Sequence, residues 1–462
     1  MSESPRSIVV IGGGFSGAMV TAHLLRRSHD PALRVTLVNK SGPLARGVAY
    51  GTRHSDHVLN VPAGRMSAFP GEEDHFLRFA QARIPSTTGG AFVPRTLYGD
   101  YLGSIVEEAA QQVPGRFEAV SDEAREVRWN ADTSRARVTL ASGRVLEAEH
   151  VVLALGNYTP SNPSLPDPSA FASARYVRDP WAPGALANVR PDEPVLLIGT
   201  GLTMLDVALQ VASVARSAPL VAISRRGLTP LPHRDHGAPP SYGHLPPDLV
   251  AGEPSAVDYL RAVRRHTRQL ARAGIDWREV VASLRPVTSR LWQALSTRER
   301  ARFLRHLRPY WDVHRHRVAP ELWQRFHALR ETGQLDVHAA RLLGLAEVSG
   351  GIDATFRLRG RKEQATFRAG WVINCTGPEG DVRALKDPLL SSLMADGYVR
   401  ADALGLGLDV DDSLSLLTRD GTPSPWLSLV GPLLKGTWWE ATAVPELRVH
   451  ASRLAARLAG SA

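Results

Sequence analysis

Unbroken apolar runs that stop at glycine punctuate this chain. Residues 8–11 run into Gly12, 151–155 into Gly156, 195–198 into Gly199, and 425–430 into Gly431, while a related segment, Val372-Ile-Asn-Cys-Thr, ends at Gly377. A run this short, apolar on both alternating faces, predicts a strand buried on both sides inside a largely parallel sheet. Residues 34–38 and 220–223 predict two more such strands. The rhythm between them is helical. Helices are expected over 18–27 and 205–214, directly after two of the glycine turns, and over 74–82 and 97–112. Residues 117–149 alternate as a small β-meander turning at Ser142-Gly143. From 230 to 333 the pattern is helical after a proline- and histidine-rich loop at 232–240. Ser296-x-x-Glu299 forms a capping box there, and Pro320 opens a helix with Leu322, Trp323, Phe326 and Leu329 on its apolar side and Gly333 as its stop. Short strands return after 335 with a hairpin turn at Gly350-Gly351, and Pro445 opens a final helix over 446–458. The strand–helix alternation predicts an α/β fold.

Two of the strand–glycine–helix junctions carry chemistry. In Gly12-x-Gly14-x-x-Gly17 the first glycine permits the tight turn, the second lets a pyrophosphate approach the backbone, and the third lets helix and strand pack closely. Phe15 and Ser16 begin the helix whose unpaired N-terminal amides face such a phosphate. The next strand ends at Asn39, where an acidic residue usually holds ribose hydroxyls; asparagine still hydrogen-bonds, without the strength a charge adds. The second junction is Gly199-Thr-Gly201-Leu-Thr203-Met204, with Met204 at the third small position. Its following strand ends in Ser224-Arg225-Arg226, and arginines there suit a 2′-phosphate, hence NADPH over NADH.

Length and composition narrow the classes. The 462 residues suffice for two or three domains with real cores. The net charge of +9 comes from arginine spread along the chain beside 46 acidic residues, without an aromatic-interleaved basic run, so no nucleic-acid partner is expected. Cys375 is the one cysteine, which excludes an intrachain disulfide, a dithiol redox pair and a thiolate metal site. No metal is expected from His314 and His316 beside Asp312, because a two-residue spacing does not put both imidazoles on one helix face. The first residues lack a basic region before a long apolar one, and no run approaches a membrane span, so a cytoplasmic protein without membrane association is expected.

With the Gly12 motif, the loops Arg46-Gly-Val-Ala-Tyr-Gly51 and Leu59-Asn-Val-Pro-Ala-Gly-Arg-Met-Ser67, Gly199-x-Gly201, and Gly436-Thr-Trp-Trp-Glu-Ala-Thr-Ala-Val-Pro-Glu446 in view, the chain resembles bacterial FAD/NAD(P)-binding flavoproteins of the two-dinucleotide-binding-domain superfamily. That family is similar to class B flavin monooxygenases and amino-acid N-oxygenases. The resemblance implies two Rossmann-like domains: FAD on residues 1–190 and 366–462, NADPH on 191–229 and 334–365, and a helical insertion over 230–333 as a candidate lid. It adds Asn60, Met66, Gly156, Gly431 and Thr442 to the cofactor contacts, and points to Arg65 and Glu440 as candidate catalytic residues. Two departures matter. The Baeyer–Villiger fingerprint has only a degenerate echo from Phe171 to Trp181, without its histidine, and Pro432 stands where an aspartate usually binds the flavin's ribityl chain.

The expected activity is transfer of hydride from NADPH to FAD, followed by use of molecular oxygen to hydroxylate a small polar substrate. The insertion would shield the flavin from water, with a dimer interface as its alternative role. A pocket drawing on Arg65, Met66, His233, Arg234, Lys435 and Glu440 would suit a charged substrate. A reductase that passes electrons to an organic acceptor uses the same motifs, and a nucleotide-binding sensor would need only one of them.

Overall fold

A computed structural model describes residues 6–214, 217–234, 243–250 and 253–460. Residues 235–240 of the proline- and histidine-rich loop lie outside the described residues. Two sheets organise the chain. The first has six strands in the order Ser415–Leu417, Pro423–Leu429, His150–Leu153, Ser7–Ile11, Arg34–Asn39, Phe117–Ser121, parallel except for its Ser415–Leu417 edge. The second has seven, in the order Gln364–Ala369, Gly351–Leu358, Leu335–Val348, Leu220–Ser224, Val195–Ile198, Trp371–Asn374, Tyr176–Val177. Each glycine-terminated strand sits centrally, flanked by parallel partners: Ile8 pairs with Val35 and His150, and Val195 with Leu220 and Trp371. This is the doubly wound α/β arrangement expected from strands that are apolar on both faces.

Helices cover the sheets. Phe15–Arg27 is almost wholly buried, lying on the first sheet between Arg95–Gln112 and Val444–Leu458. Tyr98 and Tyr101 on Arg95–Gln112 are fully buried against Phe76, their rings 4.8 and 5.0 Å from it. Burying a side chain of that size contributes roughly 2–3 kcal/mol. Helix Leu202–Val211 repeats the arrangement on the second sheet. A buried ion pair joins the halves: Arg95 Nη2 lies 2.7 Å from Asp206 Oδ2, with both side chains largely buried. Burial raises the Asp206 carboxyl above the usual range, against the opposing pull of Arg95.

Three boundaries differ from expectation. Phe117–Ser121 leaves the meander and becomes the edge of the first sheet, because its backbone pairs with Arg34–Asn39; only Ala124–Asn130, Arg135–Leu140 and Val145–Ala148 form the small antiparallel sheet. Trp371–Asn374 and Tyr176–Val177 belong to the second sheet, not to the half bounded by residues 190 and 366. The reason is geometric: the second glycine turn needs a parallel strand alongside Val195–Ile198, and Trp371–Asn374 supplies it.

The helical insertion contains Ala256–Ala271, Trp277–Ser283, Thr288–Ala294 and a bent run from Thr297 to Arg315, followed by Pro320–Glu331 with its proline in the first turn. Ser296 accepts from the Glu299 amide as a capping box requires, but the Glu299 carboxylate reaches the Ala256 amide instead of closing the box. The bend is a π-helical turn at Phe303–Leu307. Pro309, without an N–H, cannot bond the Arg305 carbonyl in the turn before it.

Candidate cofactor cradles and active site

The two glycine turns have nearly the same geometry. Gly12 has φ +116° and its amide donates to Val38 O at 2.8 Å; Gly199 has φ +109° and donates to Ile223 O at 2.8 Å. A Cβ on Gly12 would overlap the Ala154 carbonyl, and one on Gly199 the Cys375 carbonyl. Those carbonyls belong to residues whose own amides bond Ile11 O and Ile198 O, at 2.8 and 2.7 Å. At the helix starts, Gly14 (φ −79°, ψ −167°) and Gly201 (φ −85°, ψ −163°) stand in the same extended conformation. Neither has a side chain capping its helix, so the first amides of both helices are left to whatever binds in front of them. The third small position differs. Gly17 is pressed against the Gly12 carbonyl, whereas Met204 is fully buried in the core of the second half.

Around the first turn the predicted residues take distinct roles. A Cβ on Gly14 would meet only the Cα of Gly47, at 3.6 Å, so two glycines face one another across a slot through which a pyrophosphate can reach the backbone. Phe15 and Ser16 are buried in the first helical turn, and Gly431, with φ +105°, faces the Ser16 hydroxyl across it. The strand ending at Gly431 therefore lies beside the cradle. Gly156 has φ +73° and open space around it. Asn39 is turned towards its own loop: Nδ2 donates to Gly42 O at 2.9 Å and to Ser41 O at 3.3 Å, and its side chain lies where a Cβ of Gly13 would be. The role expected for it at the ribose is reduced to the free side of Oδ1. Gly13 and Gly47, unassigned from sequence, are as constrained as the motif glycines.

Other candidates are spoken for by the fold. Met66 is part of the hydrophobic core, and Thr442 is exposed with its amide bonded to Glu440 O at 2.6 Å. Asn60 contributes its carbonyl, which accepts from His233 Nε2 at 3.0 Å. Burial, with Arg317 nearby, lowers His233 to about 3, so the ring is neutral at ordinary pH and its Nε2 carries the donated proton. Glu440, a candidate for a substrate amine, is buried and already ion-paired with Arg315 at 2.9 Å, with Trp311 Nε1 at 3.3 Å. Arg234 likewise pairs with Glu279 at 2.7 Å. The polar pocket expected from these residues is thus largely satisfied internally. Arg65 is half-buried at the end of the short helical turn Ala63–Arg65. Lys435 lies with its Nζ 4.6 Å from the Trp439 ring, and burial, helped by Arg308, lowers it to about 8.

On the second cradle, Thr203 lies half-buried in the first turn of its helix, and the Thr200 hydroxyl meets Ser224 Oγ at 2.8 Å, tying the turn to the end of the next strand. The two arginines that follow are not equivalent. Arg225 is exposed, whereas Arg226 lies over the Tyr310 ring and donates to the Arg305 carbonyl at 3.3 Å. That carbonyl is the one Pro309 cannot bond, so Arg226 helps to hold the insertion. Arg225→Ala is accordingly expected to reduce the kcat/KM preference for NADPH over NADH about tenfold or more, the effect of losing one charge-assisted phosphate contact. Steady-state kinetics with both coenzymes checks this, and an unchanged ratio would move phosphate recognition elsewhere.

The insertion is fastened across to the first half. Arg285 holds Glu446 through two contacts of 2.7 Å, Trp292 Nε1 donates to Gly436 O at 2.8 Å, and Arg325 pairs with Asp56 at 2.7 Å. With Arg315–Glu440 and His233–Asn60, all of these contacts but Arg325–Asp56 fall on loop 59–67 and the 436–446 segment. Among the described residues, no group of three or more His, Cys, Asp or Glu side chains could hold a metal ion, and no helix is long and apolar enough to cross a membrane.

Residues 9–158 match the model of an FAD-NAD(P)-binding family. Solved structures share the whole fold. The ornithine N-hydroxylase of Kutzneria sp. 744, seen with reduced FAD, NADP+ and L-ornithine, superposes with a TM-score of 0.67 at 14% identity, covering 98% of each chain. L-lysine 6-monooxygenase from Pseudomonas syringae gives 0.66 at 16% identity, covering 98% of this chain and 99% of that one. The bacillithiol disulfide reductase of Bacillus cereus gives 0.54 at 13% identity over 99% of both. A comparison with curated protein sequences finds no match. The chain thus has a two-Rossmann α/β fold, with a matched FAD-NAD(P)-binding domain over residues 9–158.

Proposed function

We propose that the protein is an FAD-dependent, NADPH-consuming monooxygenase of the N-hydroxylating type, acting on a small polar amine. The observation that carries this reading is the duplicated glycine turn, two cradles of the same geometry in one chain, joined by an insertion fastened over the 436–446 segment. Two cradles serve a protein that moves electrons from one nucleotide to another, and a sensor needs only one. The full-length structural similarity to ornithine and lysine N-oxygenases favours oxygen as the acceptor.

Each part then has work that follows from its geometry. The amides at the start of helix Phe15–Arg27 hold a pyrophosphate, and the slot between Gly14 and Gly47 admits it. Arg225 faces the coenzyme's 2′-phosphate. When bound, FAD supplies the electron transfer and the reduction of oxygen. The chain's own contribution is to orient the partners and keep water out, and the ion pairs along 436–446 hold the cover in place. The cationic Lys435 then recognises a substrate carboxylate.

Reductases share the fold, so the decisive measurement counts electrons. Purified protein supplied with NADPH and a panel of ornithine, lysine and cadaverine is expected to consume oxygen and form hydroxylamine with little peroxide. NADPH oxidation that proceeds without oxygen uptake, driven by a disulfide or quinone acceptor, would replace the reading with a reductase.

A further inference from the structure

The insertion and the 436–446 segment form a half-open cavity of about 750 Å³, and its walls differ from those of either cradle. Four of the ten tryptophans in the chain line it: Trp277, Trp292, Trp311 and Trp439. Trp439 comes from the 436–446 segment and stacks on Trp292 with ring centroids 4.6 Å apart and planes 29° from parallel. Phe303 meets the same Trp439 edge-on at 90°. Phe303 and Leu307, which also line the space, belong to the π-helical turn, a local departure from α-geometry that widens the helix where the cavity lies. The volume lies in the range of small-molecule sites, and the walls are overwhelmingly apolar.

Charge enters at one edge. Helix Ala256–Ala271 carries four arginines on its outer half, and they divide by face. Arg261 pairs with Asp258 at 3.1 Å and Arg265 with Asp248 at 2.9 Å. Arg264 and Arg268, one turn apart, line the cavity; both are exposed, and among the described residues neither has an acidic partner within ion-pair distance. An apolar chamber walled by stacked rings, with two uncompensated guanidinium groups at its rim, matches one kind of molecule.

We infer that the insertion holds a ligand site for an amphipathic organic anion, with a flat fused-ring body among the tryptophans and a single carboxylate at Arg264 and Arg268. Ring faces stack on indole, and a carboxylate accepts the planar guanidinium fork at little desolvation cost because the rim is wet. The site is separate from the two nucleotide cradles, and its occupancy does not depend on which reaction the flavin performs.

The test uses the full-length, FAD-loaded protein and 1-pyrenebutyrate as probe, with 1-pyrenebutyrate methyl ester and palmitate as comparisons, read by calorimetry and by quenching of tryptophan emission. Saturable binding of the acid with strong quenching is expected, and Arg264→Ala/Arg268→Ala should weaken it about tenfold or more while leaving the ester unchanged. Val263→Trp, which projects a further indole into the chamber, should weaken binding of both; flavin content and melting temperature report whether that variant folds. The arginine variants alter only exposed side chains and so stand as a test if it does not. The inference is overturned if pyrenebutyrate does not saturate, if the arginine pair fails to separate acid from ester, if palmitate binds more tightly than the ring acid, or if a folded Val263→Trp protein binds as before.

Discussion

Gly14→Val yields a folded protein that carries no flavin. The Gly14 backbone, at φ −79°, is open to any residue, and a Cβ there meets nothing nearer than the Gly47 Cα at 3.6 Å, an ordinary contact. The branched side chain would instead fill the slot between the two glycines, where the backbone must lie bare for a pyrophosphate to approach. Gly12→Val acts differently. At φ +116°, with the Ala154 carbonyl in the way, it should prevent the first sheet from forming around its central strand. Visible flavin absorbance per protein and the thermal transition, measured together, separate the two outcomes. Gly14→Val should lose flavin more than about tenfold while keeping a cooperative transition. Full flavin retention in Gly14→Val would remove the first turn from the cofactor site.

A second large effect is expected from acid. His23, His57, His150 and His450 are each at most 7% exposed, and burial lowers all four, to about 4 for His23, His57 and His450 and about 3 for His150. Arginine neighbours push in the same direction: Arg27 and Arg26 at His23, Arg95 at His57, Arg457 at His150 and Arg453 at His450. Each ring is neutral in the folded protein and would take up a proton on unfolding below pH about 6.5. Because the folded values are depressed, this stability is complete above that pH and is lost as pH falls towards 4. With up to four extra protons bound by the unfolded chain, the slope approaches about 5 kcal/mol per pH unit between pH 6 and 4. Against a typical total of about 5–15 kcal/mol, such a slope empties the folded state within two or three pH units. Urea midpoints at pH 7, 6 and 5 test this: the fall from 6 to 5 should exceed that from 7 to 6, by roughly 1.7-fold, and a flat series would show that the rings are already charged in the fold.

The strands, the glycine turns and the helices after them were legible because they are local: a run of apolar residues and a glycine occupy neighbouring positions, and steric rules act there directly. Trp371–Asn374 reads as a buried strand in the same way, yet which sheet it joins depends on pairing with Val195–Ile198, nearly two hundred residues away, and no local pattern encodes that partner. The candidate polar residues show the same limit. Glu440 reads as a free carboxylate until Arg315 folds against it, and Arg234 as a free cation until Glu279 does. The cavity was invisible for a related reason. Trp277, Trp292 and Trp311 fall at spacings that read as helix core, and nothing in their spacing says that the core between them is hollow or that Trp439 closes it.

The Arg95–Asp206 pair bears on how the two halves can move. It joins the long helix Arg95–Gln112, packed on the first sheet, to helix Leu202–Val211 on the second, and the Arg95 Nε also donates to Val58 O at 3.0 Å. Swinging one half away from the other would part this pair, so the pair favours the closed arrangement. The pair therefore ties the two halves into one frame, so a nucleotide in either cradle would reach it past the surrounding loops with the halves held together.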